Sequence, residues 1–132
     1  MRLGGQLLIC PMLSRADAPS MRQFARDHSW SAQSNDTGWM SALGPTDDLP
    51  PGERSDLAGL PPTYLDAGSA ELFRDAIVSF ASSLWAKGCR AELHVWSGGF
   101  HASDCVDETP IVSAEAHRAR REWMRRWLAG DL

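Results

Sequence analysis

Two periodicities divide the chain. Gln6 to Met12 form a nearly unbroken apolar run behind a glycine pair, which predicts a short strand buried on both faces. Thr63 to Ala67, introduced by Pro61 and Pro62 and closed by Gly68, predicts a second buried strand. Phe73, Ile77, Phe80, Ala81, Leu84 and Trp85 then recur at three- and four-residue steps. A helix over about Leu72 to Lys87 follows, stopped by Gly88. Ala91 to Trp96 alternates as a third strand. A closing helix over about Ser113 to Leu128 sets Ala116, Arg120, Trp123, Met124, Trp127 and Leu128 along one stripe, with Arg120 snorkelling at its edge.

Between the first two strands the pattern breaks down. Only Asp36 to Leu43, with Asn35 as cap and Gly44 as stop, has helical spacing, and Asp47 to Gly59 reads as a surface loop. The expected organisation is one partial α/β domain over 1–132: a strand within 1–12, an irregular segment over 13–59, and a βαβα unit over 60–132. About three parallel strands with flanking helices follow from that alternation.

Composition narrows the classes. The 132 residues are 43% hydrophobic and 23% charged, which suits a globular chain able to bury a core. Six Trp against one Tyr place several large aromatics in a core or pocket. A net charge of -4 gives no general attraction for nucleic acid or anionic lipid. The one dense basic run, Arg118, Arg120, Arg121, Arg125 and Arg126, reads as a solvated helix face with Glu122 pairing to Arg118 or Arg126. Cys10, Cys89 and Cys105 have no CxxC spacing, so neither a disulfide framework nor a zinc site is indicated, and a cytoplasmic location is the simplest expectation. The apolar N-terminal run is too short to span a membrane.

In open parallel sheets the working residues gather beyond the carboxyl ends of strands. Two loops hold that position, Gly68 to Asp75 and Ser97 to Asp107, and each carries acid or base groups. If the two strands are parallel neighbours their ends lie about 5 Å apart, or about twice that with one strand between, and a carboxylate of the first loop could then reach the imidazole of His101 in the second. Such a pair orients a histidine and stabilises its protonated form during proton transfer. The glycine pair Gly98 and Gly99 permits a tight turn that exposes His101, which distinguishes it from His28, His94 and His117. A metal site from His101, Asp104 and Cys105 is the weaker alternative, because no ligand spacing supports it. No metal and no cofactor are expected.

The runs QLLICPML, LPPTYLDAGSAELFRDA and AELHVWSGGFH, followed by a Trp-rich helix, resemble the hormone-sensitive-lipase-like branch of the α/β-hydrolases, esterases and lipases with a Ser-His-acid triad. That resemblance implies Glu71 as the triad acid and His101 as the general base. Asp75 would be structural, and Asp66 a lesser substitute acid. Two departures stand out: Glu71-Leu72 replaces the commoner Asp-Pro, and Ala102 follows His101 where glycine is frequent.

No G-x-S-x-G elbow and no HGGG-like run occur in the sequence. In the family both precede the strand that QLLICPML resembles, so Met1 is expected to fall just after the nucleophile segment. Ser69 lacks the elbow pattern and is a poor substitute. The expected function is therefore the C-terminal fragment of a carboxylic ester hydrolase, acting on small esters only when completed by an upstream segment and inactive alone. The resemblance also makes 13–59 substrate-side material, with Phe24, Trp30, Trp39 and Met40 as candidate apolar contacts. The alternative is a noncatalytic module that self-associates or pairs through its exposed sheet edge.

Overall fold

The computed structural model describes residues 3–132. Its elements are β1 (Gln6–Ile9), α1 (Pro19–Gln23), α2 (Ala32–Leu43), a 3-10 turn (Pro51–Glu53), β2 (Thr63–Gly68), α3 (Arg74–Ala86), β3 (Ala91–Trp96), α4 (Ser103–Val106) and α5 (Ile111–Ala129). The three strands form one parallel sheet in the order β1-β2-β3.

Every residue of the central strand β2 is buried, and its alternation sends side chains to two different layers. Leu65 and Ala67 join Ile77, Phe80, Ala81 and Leu84 of α3 in the main core, which Leu13, Leu57, Leu72 and Phe73 complete. Tyr64 and Asp66 face α5 instead, where Tyr64 meets Trp123 at 6.1 Å between ring centroids and Asp66 meets Arg120. Helices therefore cover both faces of the sheet.

The first strand is shorter than its apolar run. It stops at Ile9 because Cys10 takes φ 45°, a left-handed conformation that breaks the ladder, and Pro11 has no N–H with which to resume it. Nor is it buried on both faces: it is an edge strand among the described residues, and Ile9 is 42% exposed.

The segment 13–59 holds more structure than its sequence suggests. Ser31, not Asn35, caps α2, its hydroxyl accepting from the Ser34 N–H at 3.1 Å. Asn35 lies inside the helix and is buried. The short α1 starts at Pro19, a favoured first helical position, and is pinned to α3 through Asp75, whose carboxylate accepts from the Ser20 N–H at 2.8 Å. Arg74, first, and then Ser20 hold the Asp75 carboxyl below its usual range.

α3 begins at Arg74, two residues later than its apolar spacing indicates, because the preceding residues turn away from β2. α5 buries Ser113, Ala116, Arg120 and Trp123 at steps of three and four. Its final turn departs from the expected stripe: Met124, Trp127 and Leu128 are exposed, and the Trp127 indole donates to the Gly4 carbonyl at 2.9 Å. Glu122 does pair with Arg126, at 3.9 Å, one of its two expected partners, and more closely with Arg125 at 2.8 Å. Arg120 does not snorkel; it is 7% exposed and held by two carboxylates.

Of the six Trp, Trp39 and Trp123 are buried, whereas Trp85 and Trp127 are largely exposed. No helix among the described residues is long and apolar enough to cross a membrane.

Candidate active site

Register sets the site. Gly68 at the end of β2 lies opposite Trp96 at the end of β3, so the two chemistry-bearing loops leave neighbouring strands at the same level. Three hydrogen bonds join them: the Ser69 N–H to the Trp96 carbonyl at 2.8 Å, the Ala70 N–H to the Gly99 carbonyl at 2.9 Å, and the Gly98 N–H to the Ser69 hydroxyl at 2.8 Å. Glycine is required at Gly68, because a Cβ there would lie 2.1 Å from the Gly99 carbonyl oxygen. Gly98, at φ 78°, makes the turn.

This stitching brings Glu71 and His101 together. His101 Nδ1 lies 3.0 Å from Glu71 Oε2, and the other carboxylate oxygen, Oε1, accepts the Gly68 N–H at 2.9 Å. Glu71 is fully buried and His101 about one-fifth exposed at its side chain. With both carboxylate oxygens accepting, Nδ1 is the donor to Glu71, which leaves Nε2 as the acceptor that can take a proton. The longer Glu side chain thus reaches the imidazole without losing its backbone anchor. Phe73 and Trp30 flank the ring, with centroids 5.3 Å and 5.6 Å from it.

The other candidates lie elsewhere. Asp66 is buried against Arg120 and Tyr64, and Asp75 binds Ser20 and Arg74, so neither competes for His101. The Ser69 hydroxyl is committed to Gly98. His94 lies between Tyr64 and Trp96 and pairs with Glu92 at 3.0 Å, and His117 faces Asp104. Among the substrate-side candidates, only Trp30 touches the imidazole. Trp39 is buried with its indole on the Ser14 carbonyl, Phe24 lies beneath the Arg74 guanidinium, and Met40 is 75% exposed.

One neighbour escaped the sequence reading. Cys10, at the end of β1, shares a cluster with Glu71 and His101 in which one ligand-type atom from each lies within 4.8 Å of the others. The grouping of His101 with Asp104 and Cys105 does not form: Asp104 binds Arg120, and Cys105 is exposed. Burial first, and then the Glu71 carboxylate, push the Cys10 thiol up to about 12. It is a packed thiol whose ionisation burial disfavours. Its position at a strand end, directly before a proline, was the available signal.

Iodoacetamide at about pH 8 is accordingly expected to modify Cys105 in the folded chain and to spare Cys10 and Cys89 until denaturant is added. Mass spectrometry of the alkylated peptides reads this, and labelling of Cys10 at the rate of Cys105 would contradict it.

Ala102, where the resemblance led to an expectation of glycine, has a conformation that glycine adopts more readily. It sits at φ 58°, between His101 and the first residue of α4, a conformation that costs an L residue about 1 kcal/mol or more. Ala102→Gly is expected to be neutral or to stabilise by up to about 1 kcal/mol, the relief of strain being partly offset by added freedom in the unfolded chain. Urea unfolding measures it; a loss of more than that amount would contradict the assignment of strain.

Comparisons with known proteins agree with this architecture. The sequence model of the alpha/beta hydrolase fold matches residues 1–104. The chain belongs to the α/β-hydrolase fold family. Among solved structures it superposes on a bacterial heroin esterase with a TM-score of 0.86 and 31% identity, covering 96% of this chain and 43% of that one. Esterase LipW from Mycobacterium marinum gives 0.85 and 24%, with 94% and 40% covered. A thermostable esterase from Pseudomonas putida ECU1011 gives 0.79 and 23%, with 91% and 41% covered. The latter two likenesses are of fold. The chain thus spans well under half the length of these structures. A comparison with curated protein sequences finds no match.

Proposed function

We propose that this chain is the C-terminal part of a serine-dependent carboxylic ester hydrolase, in which His101 is the general base and Glu71 the acid that orients it. The nucleophilic serine and the oxyanion-hole N–H groups come from an upstream segment. The observation that carries this reading is the anchored pair, His101 Nδ1 to Glu71 Oε2 at 3.0 Å, with Oε1 held by the Gly68 N–H.

The chemistry follows from that arrangement. His101 Nε2 takes the serine proton as the hydroxyl oxygen attacks the ester carbonyl. The buried Glu71 carboxylate stabilises the resulting imidazolium. Collapse of the tetrahedral intermediate passes that proton to the departing alcohol and leaves an acyl-serine. Water then attacks, gives its proton to Nε2, and the acid is released with the serine hydroxyl restored. Trp30 and Phe73 pack against the imidazole ring and hold it in an apolar surround. Family likeness and the esterase neighbours favour short- to medium-chain carboxylic esters. The free thiols, one of them exposed, favour a reducing cytosol.

The test is p-nitrophenyl ester hydrolysis by this chain alone and by a fusion of the N-terminal part of the bacterial heroin esterase to it. Background rates alone and turnover in the fusion are expected. Substantial turnover by the chain alone would refute a missing nucleophile.

A second reading, a noncatalytic module pairing through its sheet edge, is favoured by the open side of β1, where Ile9 is 42% exposed. Unpaired strand edges invite association. Sedimentation velocity is expected to show concentration-dependent self-association of the isolated chain that Ile9→Lys reduces. A strictly monomeric chain at all concentrations would remove this reading.

A further inference from the structure

The buried ion cluster between β2, α4 and α5 is not used by the proposed proton transfer, yet it joins the strand that leads to Glu71 and the helix that follows His101. Arg120 of α5 donates from Nε to Asp66 Oδ2 at 2.6 Å and from Nη1 to Asp104 Oδ2. Tyr64 adds its hydroxyl to the same Asp66 oxygen at 3.1 Å, and His117 Nε2 lies 3.7 Å from Asp104 Oδ2. Burial opposes the charge on Arg120, but the two carboxylates outweigh it and raise its pKa.

Asp66 lies in β2, two residues before Gly68 and five before Glu71. Asp104 lies in α4, three residues after His101. One guanidinium therefore spans the element that delivers the acid and the element that follows the base. Its planar fork suits two carboxylates arriving from different directions, which a lysine cannot reproduce.

Burying two carboxylates with one cation is a poor way to stabilise a core, since apolar side chains of similar volume often do as well or better. A fixed geometry is what such a cluster supplies. There is also something for it to hold against, because Ala102, between His101 and α4, sits in the left-handed region. If α4 were released, that residue would relax and carry the imidazole away from Glu71.

We propose that Arg120 is a positioning residue: through Asp104 it locks α4 against the sheet and so keeps His101 on Glu71. This rests on the reading of His101 as the base, but its test needs no turnover, so either can fail without the other.

The test uses the whole chain with 15N-labelled histidine and reads how fast the His101 Nδ1 proton exchanges with water. Asp104→Asn leaves the Arg120 to Asp66 pair intact and removes only the charged link to α4. Exchange of that proton is expected to speed by about tenfold, in line with losing one charge-assisted hydrogen bond, while amide resonances of β2 and α3 stay in place. Arg120→Lys, which keeps the charge and loses the fork, is expected to do the same where it folds. An unchanged exchange rate in folded Asp104→Asn would overturn the proposal. So would global unfolding of that variant, which would make the contact a general brace and not a local one.

Discussion

His101→Ala, in the fusion that supplies a serine, is expected to lower kcat/KM for a p-nitrophenyl ester by about 10⁴-fold or more, the scale on which triads lose their base. The reason is local. Among the described residues no other imidazole is bonded to Glu71, and His94 and His117 are engaged by Glu92 and Asp104 on other parts of the fold. Glu71→Gln is expected to cost a comparable factor while leaving the fold intact. An amide presented to Nδ1 either offers its N–H, which favours the wrong tautomer, or its carbonyl, which lacks the charge that stabilises an imidazolium. The two losses should not add, since both residues act on one proton. If His101→Ala retains more than about a tenth of the activity, the base lies elsewhere.

Arg120→Met is the substitution expected to damage stability most. It leaves Asp66 and Asp104 buried without their cation, at about 3–5 kcal/mol, against a total of about 5–15 kcal/mol for a domain of ordinary stability. Asp66 is fully buried, and one of its oxygens already lacks a protein partner, so there is little room for the charge to be resolvated. Tyr64 would keep its hydrogen bond, but its hydroxyl cannot neutralise a carboxylate; burial and then Asp66 raise its own pKa still further from neutrality. Urea unfolding followed by circular dichroism should show the loss. The compensated triple variant Asp66→Asn, Asp104→Asn, Arg120→Met should recover part of it. A loss below about 1 kcal/mol for Arg120→Met alone would mean the cluster is more hydrated than its burial indicates.

Much of the architecture was legible because it rests on periodicity. β2, β3, α3 and α5 carry apolar spacing that only one element type satisfies, and their parallel arrangement follows from alternation. That alternation put the loops of Glu71 and His101 at the same end of the sheet; the pairing of β2 directly with β3 brings them side by side. What spacing could not supply was chain direction at single residues. The apolar run that begins β1 continues to Met12, but the strand ends at Ile9 because of the backbone dihedral at Cys10, and this places a thiol beside the acid and base. At α2 the expected stop, Gly44, is the C-cap, but the N-cap differs for a similar reason: Ser31 and Asn35 are both good capping residues, and packing puts Asn35 inside the helix.

Arg120 departs furthest from its expected place. An arginine in an apolar stripe ordinarily reaches for water. Here the sign of its burial was an aspartate in an otherwise apolar strand, since Asp66 at the centre of β2 needs a cation from the layer above it. Its second partner, Asp104, lies 16 positions away on a four-residue helix that no pattern announces.

Glu71 is proposed to fix the imidazole of His101 with Nδ1 protonated and Nε2 free to accept a proton. Nitrogen-15 chemical shifts of labelled histidine, taken with the neutral ring in the folded chain, distinguish the two tautomers directly. A protonated Nδ1 and a bare Nε2 at His101, reverting to the mixture of an unfolded peptide in Glu71→Ala, are the predicted result. A His101 ring protonated at Nε2, or one indifferent to the loss of Glu71, would contradict the account.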